Sequence, residues 1–324
     1  MAPRRKIRQK EAQLAFDALT IEGGLLSPEW LARAAQTKAP QQTEADYRVP
    51  KGLNLRDEIG RYWRMAQAHW NEFATARLAG GFERQVTERF VLGLLRSCFG
   101  FDSLQPVSPV VVADRTFPIG HEALGGRVPV VIAPVPTADN TKGVEVLFAA
   151  FGDAGRKRSA FGLAQEYLNA ADTALWGVTT DGLTLRIVRD NASLTRPAWL
   201  EADLQRIFLE ERYADFAALW LVLHESRFGR ADQLPTDCAL EVWRSAGREE
   251  GTRAREHLRR GVEDALKDLG QGFLSHPDNV ALRAALHDGS LTTTAYFQQL
   301  LRLVYRMIFL LTVEERGLLH PDTT

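Results

Sequence analysis

The stretch ALWGVTTDGLTLRIVRDN, residues 174–191, decides the fold class. Two apolar, β-prone runs meet at Asp181-Gly182, and Asp-Gly favours a type I′ turn, whose two central residues both need positive φ. The stretch therefore predicts a β-hairpin with Val178, Leu185 and Ile187 turned to a core. Arg186 and Arg189 fit that alternation poorly and are expected to face solvent or DNA.

Upstream of the hairpin, RSAFGLAQEYLNAA (158–171) reads as a helix. PVVVA (109–113), VPVVIAPV (128–135) and VEVLFAAF (144–151) read as strands, behind a helix ERQVTERFVLGLLRSCFG that ends at Gly100. The order helix, three strands, helix, strand predicts an α/β domain with a mixed sheet. It is also the order of a PD-(D/E)xK nuclease core. There, an acid before or on one strand and an acid-x-Lys on the next hold Mg²⁺, and the lysine helps orient the attacking water. The acids on offer are Asp114, Glu122 (beside His121) and Glu145. VPVVIAPVP, where the acid-x-Lys pair belongs, contains neither residue, and the position two after Glu145 is Leu147. The expectation is a degenerate nuclease-like core without a metal. The alternative is a divergent Mg²⁺-dependent endonuclease using Asp114, Glu122 and Glu145.

Helical patterns flank this core. SPEWLARAAQ has Ser27 as N-cap and Pro28 at the first helical position. LRDEIGRYWRMAQAHWNEFATARLA places Trp63 and Trp70 seven residues apart, a core stripe rather than a base-stacking platform. Between them, TKAPQQTEADYRVPKG reads as a linker or surface loop. From Pro197 onward the pattern is helical: LEADLQRIFLEERYADFAALWLVLHESRF as two helices, then a charged helix ended by glycines, then SLTTTAYFQQLLRLVYRMIFLLTVEERGLL, capped by Ser290 or a following Thr. The fold expected is thus α/β plus all-α, with a helical region over 1–80, the nuclease-like domain over 81–195 and a helical connector over 196–324.

Composition limits the function. The 40 Lys and Arg balance 41 Asp and Glu, so no global field draws nucleic acid, and DNA contact needs a local basic face. One candidate is Arg156, Lys157 and Arg158, directly before a helix whose free N–H groups favour anions. Six arginines in RSAGREEGTRAREHLRRG are interleaved with Glu249, Glu250 and Glu256, and i,i+4 pairing accounts for them. Two cysteines, Cys98 and Cys238, give no zinc cluster or disulfide framework and suit a reducing cytoplasm. The basic start MAPRRKIRQKE leads into no signal-peptide core, and the most apolar window is broken by two arginines, so no membrane segment is expected. There is no G-x-S-x-G elbow, P-loop or H-E-x-x-H. His224 reads as a core histidine and His257 as a solvated one.

TIEGGLLSPEWLARAA, RYWRMAQAHWNEF, GLAQEYLNAADTALWGVTTDGLTLRIVRDNASLTRPAWLEADL and LLRLVYRMIFLLTVEERGLL resemble the N-terminal region of large type IIG-like restriction-modification adenine methylases, above all those of DISARM-type phage-defence systems. The resemblance spans nearly the whole chain. It implies a bacterial DNA N6-adenine methyltransferase that uses S-adenosylmethionine and works beside a helicase-like subunit on double-stranded DNA. In that family the nuclease-like module precedes a helical connector and then the methylase. Neither a glycine-rich cofactor motif nor Asn-Pro-Pro-Tyr occurs here, so no catalytic residue carries over. S-adenosylmethionine is expected in a downstream methylase domain, and the chain reads as the leading part of a longer protein.

Overall fold

A computed structural model describes residues 16–80, 84–133, 135, 142–146, 157–190, 198–315 and 318. The chain divides into two compact units, Met1–Gly247 and Arg248–Thr324.

The first unit is built on a seven-stranded mixed sheet. Numbered in chain order, its strands lie side by side as β1 (Leu19–Glu22), β9 (Trp199–Asp203), β8 (Thr184–Arg189), β7 (Trp176–Thr180), β6 (Val128–Ile132), β5 (His121–Ala123) and β2 (Gln105–Pro106). Every neighbouring pair is antiparallel except β6–β7, whose parallel alignment requires the crossover that carries α4 (Ala160–Ala170). A separate two-stranded hairpin joins β3 (Val110–Val112) to β4 (Arg115–Phe117).

Both faces of the sheet are covered. Val130, Ile132, Val178, Leu185, Ile187 and Leu200 enter one core with α1 (Pro28–Ala35), α2 (Leu55–Leu78), α3 (Arg84–Phe99) and α6 (Tyr213–Leu223). Val131 and Val188 enter a second core with Leu163, Ala164 and Tyr167 of α4. Two-sided burial explains why β6 and β7 are buried at every position instead of alternating.

The caps follow local chemistry. Ser27 Oγ accepts the Trp30 N–H ahead of Pro28, and Asn54 Oδ1 accepts the Asp57 N–H at the start of α2. Trp63 and Trp70 both stack on Phe208, of α5 (Leu204–Leu209), with ring centroids at 5.6 and 5.1 Å, so the stripe is core as expected.

Four expectations need correction. The connection does not turn on Asp181-Gly182 with both φ positive: Asp181 N–H donates to Thr184 O at 3.2 Å, so Gly182-Leu183 lies at the tip, and there only Gly182 has positive φ, at 84°. The two-residue loop with both φ positive is instead Ala113-Asp114, between β3 and β4. Residues 144–146 turn rather than pair, and the rest of VEVLFAAF lies outside the described residues. LEAD opens no helix but lies in β9, because its backbone pairs with β1 and β8; β1 itself is LTIE, where no strand was expected. The segment TKAPQQTEADYRVPKG is pinned rather than free: Tyr47 is buried and donates to Leu221 O at 2.9 Å.

The last long helix of this unit, α7 (Ala239–Ser275), continues through its glycines rather than ending at them. In the second unit its residues 248–275 are accompanied by α8 (Val280–His287) and α9 (Thr293–Glu315), with Thr292 Oγ1 capping α9 by accepting the Ala295 N–H at 3.1 Å. Arg260 donates to Glu256 at 3.0 Å, the i,i+4 pairing expected of the charged run. Leu300 and Val304 are the buried residues of α9, whereas Phe309, Leu310 and Leu311 are 67%, 52% and 60% exposed. Among the described residues no helix is long and apolar enough to cross a membrane.

Candidate functional site

Sheet register sets one row of side chains on the α4 face. Val131, Thr179, Arg186 and Glu201 sit opposite one another on β6, β7, β8 and β9. Arg186 is central in that row, and its side chain is only 2% exposed. Its Nε donates to Glu201 Oε2 at 2.7 Å and its Nη2 donates to Glu145. The guanidinium lies over the Trp199 ring at 4.5 Å and the Phe161 ring at 5.4 Å, geometry that favours a cation. Lys142 Nζ also donates to Glu201. Burial opposes charge on Glu201, but the bonds from Lys142 and Arg186 outweigh it and hold its pKa below the ordinary glutamate value. The two cations and two carboxylates sum to zero charge.

Asp181 organises the same region from the hairpin loop. Its carboxylate is buried and accepts three backbone N–H groups: Leu183 at 2.9 Å, Thr184 at 2.6 Å and Gly143 at 2.6 Å. Burial pushes its pKa up, while those N–H groups pull against the shift. The bond to Gly143 ties residues 142–146 to the hairpin, and these residues deliver Lys142 and Glu145 to Glu201 and Arg186. Asp181 is a loop organiser with its acceptor capacity in use, not an open ligand.

The other candidate acids are dispersed. Asp114 sits at the tip of the β3–β4 turn with φ 62°. Glu122 lies on β5 and accepts from Gln105 at 3.1 Å. Glu145 alone reaches the central cluster. Among the described residues no three His, Cys, Asp or Glu side chains gather as a cation site.

The basic candidates also have definite places. Arg156 lies outside the described residues; Lys157 is exposed; Arg158 donates to Glu166 at 3.0 Å, a carboxylate it shares with Arg115. Arg189 donates to Glu241 Oε2 at 3.0 Å and to Asp190 O at 2.6 Å. The expectation that Arg186 and Arg189 face solvent or DNA is therefore corrected: β8 is an interior strand, so Arg186 points beneath α4 and Arg189 toward the opposite face. Lys142 and Glu201 were absent from the sequence reading. Glu201 was hidden in a segment with helical periodicity, and Lys142 is 59 residues away from it.

If the guanidinium of Arg186 were withdrawn, Glu145 and Glu201 would be the carboxylates left around its place. As arranged, the cluster presents a satisfied ion-pair network rather than an electrophile, base or nucleophile. Comparison of the chain with protein-family models, with curated proteins and with solved structures finds no match.

Proposed function

We propose that this chain is the N-terminal portion of a bacterial phage-defence DNA N6-adenine methyltransferase, and that its sheet-bearing unit is a nuclease-like scaffold that contacts the DNA backbone without cutting it. The observation that carries the reading is the position of Arg186. In a Mg²⁺ nuclease a divalent cation bridges acids from adjacent elements. Here a guanidinium lies between Glu145 and Glu201, with Lys142 as a second cation. A metal would have to displace both against like charge. The wholly apolar β6, in the place of an acid-x-Lys strand, supports the same reading. S-adenosylmethionine would be held by a methylase region outside this sequence, and a helicase-like subunit and double-stranded DNA are the partners implied.

DNA contact is assigned to the start of α4, where exposed Lys157 precedes the Ser159 cap and its neighbouring N–H groups. Changing Arg156, Lys157 and Arg158 together to Ala should weaken duplex binding across sequences and flatten log K against log salt by about one to two units of slope. Unchanged affinity and slope would remove the patch from the account. A second reading, a protein-docking module of a defence complex, is favoured by the exposed Phe309, Leu310 and Leu311. It predicts that Leu310→Glu abolishes co-purification with a defence subunit while leaving duplex binding intact.

A further inference from the structure

A second polar concavity lies away from the sheet cluster. A cavity of about 240 Å³ opens where α2, α3 and the end of α6 meet the loop after Tyr47. It is lined by Arg48, Arg61, Tyr62, Arg96, Ser97 and His224. Its volume falls below the roughly 300–1,000 Å³ of sites for drug-sized ligands, so it suits a small polar group rather than a whole cofactor.

The donors in this cavity are held in place from behind. Arg48 Nη1 donates to the buried Glu225 at 2.9 Å, and Arg96 Nη2 donates to Leu104 O at 2.9 Å. Each guanidinium is thereby oriented by one Nη while its remaining N–H groups have no protein acceptor among the described residues. Arg61 is paired with Glu58 at 2.7 Å and touches Met65 Sδ at 3.5 Å, so it adds wall and spare N–H groups more than net charge. Tyr62 stacks on Trp220 at 5.6 Å, giving the cavity an aromatic wall.

His224 supplies a neutral donor. Its Nδ1 lies 2.9 Å from Ser226 Oγ and accepts the Ser226 N–H at 3.3 Å. Arg227 donates twice to that hydroxyl oxygen, at 3.2 and 3.0 Å, which leaves the Ser226 O–H to donate to Nδ1 and assigns the ring proton to Nε2. Burial, reinforced by Arg227 and Arg48, lowers its pKa to about 3, so the ring stays neutral. Nε2–H has no acceptor among the described residues, although His224 is 5% exposed. It faces Gly100, where a Cβ would lie 2.6 Å from Nε2 and where φ is 70°. Only glycine leaves that nitrogen open. The ring lines the cavity, where a ligand oxygen could accept from Nε2–H.

We propose that the cavity among Arg48, Arg61, Arg96 and His224 is a phosphate-binding site, taking the phosphate group of a free nucleotide or of a nucleic-acid backbone. Donors from three elements suit a tetrahedral oxyanion better than a planar carboxylate. The site is independent of the α4 patch and of the proposed parent enzyme.

The test is calorimetric titration of the full chain with pyrophosphate and with ATP, beside anisotropy titration with a labelled DNA duplex. Arg48→Gln and Arg96→Gln should each weaken the bound probe about tenfold, the effect of losing one charge-assisted bond. Asp102→Asn removes the exposed acid at the rim and should tighten binding about threefold by relieving repulsion. That substitution lies on the surface, so it decides the matter even if an arginine variant folds poorly. ATP and pyrophosphate responding while the duplex does not would identify a free nucleotide or phosphate. A duplex response with a reduced salt slope, and none from the small anions, would identify backbone phosphate. No binding of any probe, or all three variants within about twofold of wild type for every probe, would overturn the site.

Discussion

Replacing Arg186 by Met probes the feature on which the account of the sheet depends. The side chain is 2% exposed and contacts Glu201, 12% exposed, and Glu145, 54% exposed. The Glu145 pair is open to water on one side and contributes only about 0–1 kcal/mol. The Glu201 pair is buried, and removing one partner of such a pair costs about 3–5 kcal/mol because the other charge is stranded. Lys142 still reaches Glu201, which reduces the penalty, so the expected loss is about 2–4 kcal/mol. Glu201→Gln alone should also destabilise, whereas the double variant should recover about 2 kcal/mol of the summed loss, the coupling expected of neighbours.

Urea unfolding followed by tryptophan fluorescence is the assay for this cycle. All seven tryptophans lie at or before residue 243, so their emission reports the first unit alone. Acid adds a signature. The folded pKa of Glu201 is depressed, so its contribution is complete above the unfolded value near ~4.3 and is lost as pH falls through the folded value. Glu201→Gln should flatten that part of the acid limb. Asp181 acts with the opposite sign, because its folded pKa is raised. A loss below about 1 kcal/mol for Arg186→Met, or strict additivity in the cycle, would refute the claim that this buried pair is coupled.

Two further substitutions test the hairpin. Gly182→Ala would force an L residue to φ 84° and place Cβ 2.9 Å from Phe73 Cζ; the expected cost is about 2–4 kcal/mol, read as a lower Tm. Asp181→Ala leaves three backbone N–H groups without their acceptor and should cost about 2–4 kcal/mol. Asp181→Asn should be milder but not neutral, because an amide cannot accept all three with both terminal atoms.

The hairpin, the cap of α1 and the Trp63–Trp70 stripe were legible because they arise within a few turns of chain. β1 and β9 were not. Leu19 pairs with Ala202 across most of the first unit, and WLEAD followed by LQRIFL carries a periodicity that suits either element. The glycines of α7 misled for a similar reason. Gly247 marks a close approach, since a Cβ there would meet Trp30 Cδ1 at 3.0 Å, and not a helix stop. At the candidate site, the missing acid-x-Lys pair was plain from VPVVIAPVP. The partner of Arg186 was not, because Glu145, Arg186 and Glu201 meet only once the strands pair. Asp181 was correctly tied to the loop, but it acts through its carboxylate and not through a left-handed backbone.

The most direct measurement is metal-dependent plasmid cleavage. Supercoiled DNA incubated with a high concentration of this chain and Mg²⁺ or Mn²⁺ should remain intact, because Arg186 and Lys142 already neutralise Glu145 and Glu201. Nicking or linearisation that needs the metal and disappears in Glu145→Ala would contradict the account.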